Sequence, residues 1–488
     1  MNGVLVALIL LPAAAGLVEL LAARLPSWQR FAGLCAHAGA AASFVCAALL
    51  TASVAAGGHP FVAGAYLRAD SLGALVALLA SFLTLVGIAA ARRHLGAYVS
   101  AGRARPEWLP VLHGCSALFL AAANWTALAD HVIVLYIAVE ATTLATVLPV
   151  AFYRQRTSWE AAYKYLLLNT IGLTAGLLGL AVLYAAAEPV LGSEALRLSG
   201  LASVGRLLPP LAAALSGALL IGGFGTKAGL VPLHGWLPDA YQVSPPGFIA
   251  LFSGIGTKIP MVALARVLPP LTAAAPELNL LLLVAAAVTM LFGILAAFRQ
   301  DDLRRLLGYS SVSQMGYIAM ALAAGGTAGL GAAAYHIVSH GLIKALLFLA
   351  VGEVVLLTGT ARISEVSGRP LPPQVGWTFL LASLGLGGVP PLPAFWSKFQ
   401  VFTAVAGAGY GWAAGVAVLT SLLTITTLVW AGARAFLLKP AHGGAVPSAA
   451  PPWTVGLLVL AVLAAGLFPA WISGFLASAA SAVLTKGV

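Results

Sequence analysis

Charge is what this sequence has least of. Asp, Glu, Lys and Arg make up 8% of its 488 residues, against 61% hydrophobic residues, whereas a soluble domain carries about 25% charged residues. A water-facing surface of this size cannot be built from so few charges, so lipid must be the solvent for most of it. Cysteine is scarce as well. Cys35, Cys46 and Cys115 lie scattered, with no CxxC spacing, which leaves no iron–sulfur, zinc or haem motif; they read as small apolar residues in helices. There is no P-loop, no HExxH and no GxGxxG after a strand, so nucleotide and zinc-hydrolase chemistry lack their scaffolds. Neither a cofactor nor a metal is expected. The net charge of +11 does not point to nucleic acid, because the positive residues sit singly between apolar runs rather than in one patch.

Long hydrophobic runs are what the sequence does have. Runs near 2–24, 30–56, 68–91, 108–127, 129–153, 160–186, 207–231, 243–267, 277–298, 304–324, 329–356, 374–404, 409–437 and 453–478 approach or exceed membrane length, which is about 20 apolar residues for a helix. The expectation is an all-α membrane protein of about fourteen transmembrane helices. No long hydrophilic stretch interrupts the runs, so 1–488 reads as a single polytopic domain. The first run has no basic leader; Arg24 and Arg30 follow it, which favours an uncleaved helix over a signal peptide.

Basic residues set the orientation. Sixteen fall in odd-numbered loops: Arg24, Arg30, Arg92, Arg93, Arg103, Arg105, Arg154, Arg156, Lys164, Arg299, Arg304, Arg305, Arg362, Arg369, Arg434 and Lys439. Five, Arg68, Arg197, Arg206, Arg266 and Lys486, fall in even-numbered loops or at the C-terminus. The positive-inside rule places the odd loops in the cytoplasm and both termini on the outer side of the cell membrane.

The remaining lysines, Lys227, Lys258, Lys344 and Lys398, lie inside apolar runs, as does Glu140. At about 2.5–3.5 kcal/mol each, five charges facing lipid would cost more than about 10 kcal/mol. They must face the bundle interior, pair, neutralise or meet water, and such residues are functional candidates by default. Glu140 stands mid-run in HVIVLYIAVEATTLATVLPV; its alternative role is a carboxyl that ties two helices together. Lys227 stands in IGGFGTKAGLVPLHGWLPDAY, where four glycines precede Pro232. That segment should break, and backbone groups freed at a break can hold water or an ion when lined by protein. Lys258 lies beside Pro260, again mid-run. Lys398 follows Pro390, Pro391 and Pro393, a second broken helix, and its alternative is a lysine snorkelling to the rim.

His336, His340 and Lys344 recur every four residues, a spacing that stacks them on one helix face. Two histidines so placed could bind a metal, but no carboxylate follows at ligand spacing and a lysine takes the next step. Histidine titrates near neutrality and passes protons between its two nitrogens, so a proton relay is the preferred reading. Lys227 stands five residues before Pro232 and Lys398 five after Pro393. One broken helix in each half, with this mirrored spacing, hints at the inverted repeats of transporters.

Together, EATTLATVLPVAF, GFGTKAGLVPLHGWLPDAY, QDDLRRLLGYSSVSQMGYIAMAL, HIVSHGLIKALLFLAVG and GGVPPLPAFWSKFQVF resemble the antiporter-like membrane subunits of respiratory complex I, of membrane-bound hydrogenases and of Mrp sodium/proton antiporters. The resemblance runs over about 108–437. It implies two inverted five-helix repeats, about 108–267 and 277–437, between flanking helices 2–91 and 453–478. It also implies a carboxylate–lysine pair at Glu140 and Lys227, a central lysine at Lys258, a histidine/lysine helix at His336, His340 and Lys344, and a terminal ionisable group at Lys398. Some relatives carry a glutamate where Lys398 stands. About ten residues follow residue 478, so the type extended by a long lateral helix is not expected.

The expected function is proton translocation, as a non-redox subunit of an NADH:quinone oxidoreductase of the complex I type. Other membrane subunits would be its partners and the lipid bilayer its surroundings. A Mrp-type sodium/proton antiporter subunit, a hydrogenase membrane-arm subunit and a non-transporting scaffold are the rivals.

Overall fold

The computed structural model describes residues 2–25, 31–57, 61–100, 102, 104–437 and 452–484, with side chains to residue 476 in the last helix. Arg30, Arg103, Lys439 and Lys486, used above for topology, lie outside the described residues. The chain is mostly helical, and its one described sheet is a short hairpin, Phe61–Ala63 paired with Leu67–Ala69.

Eleven described helices are long and apolar enough to cross a membrane, or twelve if the bent pair Trp453–Leu467 and Pro469–Leu476 counts as one span. Two expected runs fall outside that count for physical reasons. Leu303–Ala324 has 22 residues but carries Arg304, Arg305, three serines and Gln314. The run at 374–404 is split into Pro373–Gly387 and Pro393–Gly407, each of 15 residues. The last run, 453–478, is broken too, bending by 72° ahead of Pro469, a break that was not anticipated.

The two anticipated breaks have the same construction. Pro210–Ala228 ends at Gly229, whose φ of +85° is open to glycine at little cost, and the peptide before Pro232 is cis. Pro373–Gly387 ends at Gly388, with φ +89°, and the peptide before Pro391 is cis. In both, the chain turns helical again within a few residues, at Trp236–Val243 and at Pro393–Gly407.

Each broken helix leans on one long helix. Arg156–Leu191 packs against Pro210–Ala228 and Trp236–Val243, and Gly326–Thr358 packs against Pro373–Gly387 and Pro393–Gly407. The first contact is close because it is lined with small residues: a Cβ at Gly223 would come within 2.6 Å of the Gly172 carbonyl, the packing membrane helices favour. Gly326–Thr358 is deeply enclosed, with every residue from Ala332 to Val355 buried. Pro246–Leu251 continues through a π-turn, Phe252–Gly256, into Ile259–Ala274.

Some charges read as loop signals are structural. Arg266 donates from Nη1 to Asp70 Oδ2 at 3.0 Å and from Nη2 to the Ala127 carbonyl at 2.6 Å, and its side chain is 7% exposed. Arg197 pairs with buried Asp130 at 3.4 Å. Glu19, in the first span, is buried and accepts from the backbone N–H groups of Cys35 and Ala36 at the start of Leu34–Gly57, where a helix favours negative charge. Removing one member of a buried ion pair strands the other. Arg266→Leu should therefore destabilise the chain by about 3–5 kcal/mol, read as a lower unfolding temperature in detergent; an unchanged melt would show that Asp70 needs no partner.

Candidate functional site

The first centre forms where Pro210–Ala228 ends. Lys227 sits in its last turn, 3% exposed, so its ammonium lies where a helix end favours a cation. It donates to Thr143 Oγ1 at 2.5 Å and stands 5.9 Å from the centre of the Tyr165 ring. The Tyr165 hydroxyl meets Thr146 Oγ1 at 2.6 Å. Trp236 spans the break, donating from its indole to the Thr226 carbonyl at 2.9 Å with its ring 4.9 Å from that of Tyr165.

Glu140 is three residues before Thr143 on Val132–Val150. It is partly buried, and its Oε2 finds no hydrogen-bond partner among the described residues. Glu140 and Lys227 lie within electrostatic range of each other, but no hydrogen bond joins them; the lysine is on Thr143.

Lys258 is fully buried just past the π-turn, and its Nζ donates to the Ser253 carbonyl. Single π-turns inside helices are frequent at functional positions because they displace backbone groups from the regular ladder.

His336, His340 and Lys344 do share one face of Gly326–Thr358. The two imidazoles lie parallel, 4° between planes, with centroids 6.0 Å apart. Lys344 donates to the Leu307 carbonyl at 2.7 Å and Ser310 Oγ at 2.6 Å. His336 Nδ1 meets Ser397 Oγ at 2.9 Å, and its ring stacks on Tyr317 at 5.4 Å.

Lys398 follows Ser397, so the second broken helix presents a hydroxyl to His336 on one residue and carries the last lysine on the next. Lys398 is 1% exposed, too deep for a snorkelling side chain. Its Nζ caps the end of Pro373–Gly387, donating to the Leu386 carbonyl at 2.7 Å and Ser421 Oγ at 3.1 Å, and it stands 4.9 Å from the Tyr317 ring centre. Tyr317 thus has His336 and Lys398 as ring neighbours.

Buried amines and imidazoles thus gather on the two broken helices, the π-turn helix and the long helix Gly326–Thr358, an arrangement that fits a proton relay. The profile of the family described as NADH:quinone oxidoreductase/Mrp antiporter, transmembrane, matches residues 129–424. The chain belongs to that family. It is 32% identical to NADH-quinone oxidoreductase subunit 14 of Thermus thermophilus, over 84% of this chain and 87% of that one. It is 30% identical to the hydrogenase-4 component F homolog of Methylacidiphilum infernorum, over 70% and 72% of the two chains. In structure it resembles a chain of respiratory complex I from Thermus thermophilus solved with bound NADH, with a TM-score of 0.82, 26% identity and 99% of each chain covered.

Within this family fold, several residues that touch the relay were missed from sequence. Thr143, Tyr165, Ser310, Tyr317, Ser397 and Ser421 supply its hydroxyl and ring contacts, and Ser253, Leu307 and Leu386 its carbonyls. A single hydroxyl in an apolar run is a weak signal, since most bond back to their own helix. Glu353 also escaped notice. It is buried and bridged by Arg93 at 3.0 Å and His94 at 3.1 Å, fastening the histidine helix to Ser71–Ser100.

Proposed function

We propose that this chain is the proton-translocating, antiporter-like subunit of a complex I-type NADH:quinone oxidoreductase, working in a cell membrane beside other membrane subunits. Its relay is Lys227 with Glu140, then Lys258, then Lys344, His340 and His336, then Lys398. One observation carries this reading. Elsewhere in the fold buried carboxylates are matched to cations, Asp70 to Arg266, Asp130 to Arg197 and Glu353 to Arg93. Among the described residues the relay lysines and His336 are buried yet bonded only to hydroxyls and carbonyls, and neither ring nitrogen of buried His340 has a hydrogen-bond partner. Helix glue pairs its charges; groups that must gain and lose a proton are better left on neutral partners.

The fourteen-span plan is reached by adding Leu303–Ala324 and the broken Pro373–Gly407 unit to the twelve apolar spans. Two five-helix repeats, about 108–267 and 277–437, are supported by matching breaks and by a third helix that packs against both halves of each broken one. The loop charges support outward termini. The identity to a hydrogenase-4 component F homolog keeps a hydrogenase membrane arm as a second reading, and the family's Mrp members keep sodium as a second ion.

In the purified complex reconstituted in vesicles, His340→Ala should cut proton pumping about tenfold or more with assembly unchanged. His336→Ala should also slow it. Stoichiometric zinc in the wild type, lost in these variants, would overturn the relay in favour of a metal site. Pumping that needs sodium would replace the proton with that ion.

A further inference from the structure

Leu303–Ala324 and Gly326–Thr358 are joined by Gly325 alone and pack against each other, so they run antiparallel in a fixed register. Two contacts set it: Lys344 reaches Ser310, and His336 stacks on Tyr317. Residues 310, 314 and 317 share one face of their helix. Residue 314 therefore lies opposite 340, midway between those contacts.

That residue is Gln314, fully buried, and neither its side-chain oxygen nor its nitrogen has a hydrogen-bond partner among the described residues. Both ring nitrogens of His340 and Nε2 of His336 are in the same condition. Leaving a buried polar group unpaired costs about 1–3 kcal/mol, so several in one place must share a purpose, and buried polar groups of this kind characteristically hold water.

We propose that Gln314 is a further positioning residue of the relay: with His340 and His336 it walls a polar chamber that binds water, and its amide sets the orientation of that water and of the His340 ring. The inference rests on the relay reading above. An amide does not titrate, so it can hold donor and acceptor in place while the imidazole changes state. Among the described residues the charged and titratable groups in electrostatic range of His340 are Lys258 from the π-turn helix, Lys344 and His336 on its own helix, and Lys398 from the broken helix.

The test uses the intact complex in vesicles. Gln314→Met keeps the length and removes both hydrogen-bonding atoms. It should lower pumping about tenfold and move the pH profile of pumping, with an unchanged melting temperature. Gln314→Asn keeps the amide and should retain the wild-type pH profile. Wild-type pumping by Gln314→Met, or equal losses in both variants with neither pH profile moved, would overturn the proposal and leave Gln314 as packing. His340→Ala separates the two readings: if it too pumps normally, the relay itself is wrong; if it fails while Gln314→Met does not, only the role of Gln314 falls.

Discussion

Lys227→Ala is expected to stop proton transfer in an assembled, folded complex, by about a hundredfold or more. The lysine is buried at the end of a half-helix, held by the Thr143 hydroxyl over the Tyr165 ring, and Glu140 is the carboxylate in electrostatic range. Burial disfavours any charged form and an opposite charge favours it. An ammonium that can exchange Thr143 for Glu140 therefore changes its hold on a proton without leaving its buried position. The required swing is modest: about 200 mV sets a barrier of about 4.6 kcal/mol per proton, a change of somewhat more than about a thousandfold in proton affinity. Glu140→Gln preserves shape and removes the counter-charge, so it should assemble normally and pump poorly. The double variant should be little worse than either single one, because the two act as a unit. Thr143→Val removes only the neutral partner and should slow pumping less. If Glu140→Gln pumps at the wild-type rate in vesicles, the two residues are structural and the switch does not exist.

Much of this site is written in composition. Buried lysines are so costly in lipid that position alone marked Lys227, Lys258, Lys344 and Lys398, and the four-residue spacing put His336, His340 and Lys344 on one face before any coordinates. Glycine and proline marked both breaks, because only they make an αL end followed by a helix restart. What could not be read was the partner of each group. Which side chain meets Lys227 depends on how Val132–Val150 is rotated against Pro210–Ala228, and Thr143 and Glu140 are a single turn apart. The π-turn before Lys258 leaves no mark in the sequence, since Phe252–Gly256 is as apolar as its neighbours. Pro469 did leave one, passed over because the run around it was hydrophobic throughout. Arg266 was read as a loop charge because nothing local shows that Asp70, far away in sequence, waits for it.

Lys398 should be the exchange point with the outside or with the next subunit, and its replacement should separate charge from proton carriage. Its ammonium neutralises the carbonyl end of Pro373–Gly387 through Leu386, and lies one residue from Ser397, the hydroxyl that touches His336. Lys398→Ala removes the ammonium from the Leu386 carbonyl and with it the last titratable step, so pumping should fall about tenfold or more. Lys398→Glu keeps a group that can carry a proton, but of opposite charge type. As a carboxylate it faces carbonyl oxygens and is repelled; protonated, it can donate to one of them as the ammonium did. The glutamate variant should therefore work in its protonated form, keeping part of the activity at low pH and losing it as pH rises, more steeply than the wild type. The measurement is proton uptake by reconstituted vesicles across a pH series, with subunit content checked in each preparation. Equal and full activity of both variants at every pH would place the exit elsewhere and reduce Lys398 to a cap on a helix end.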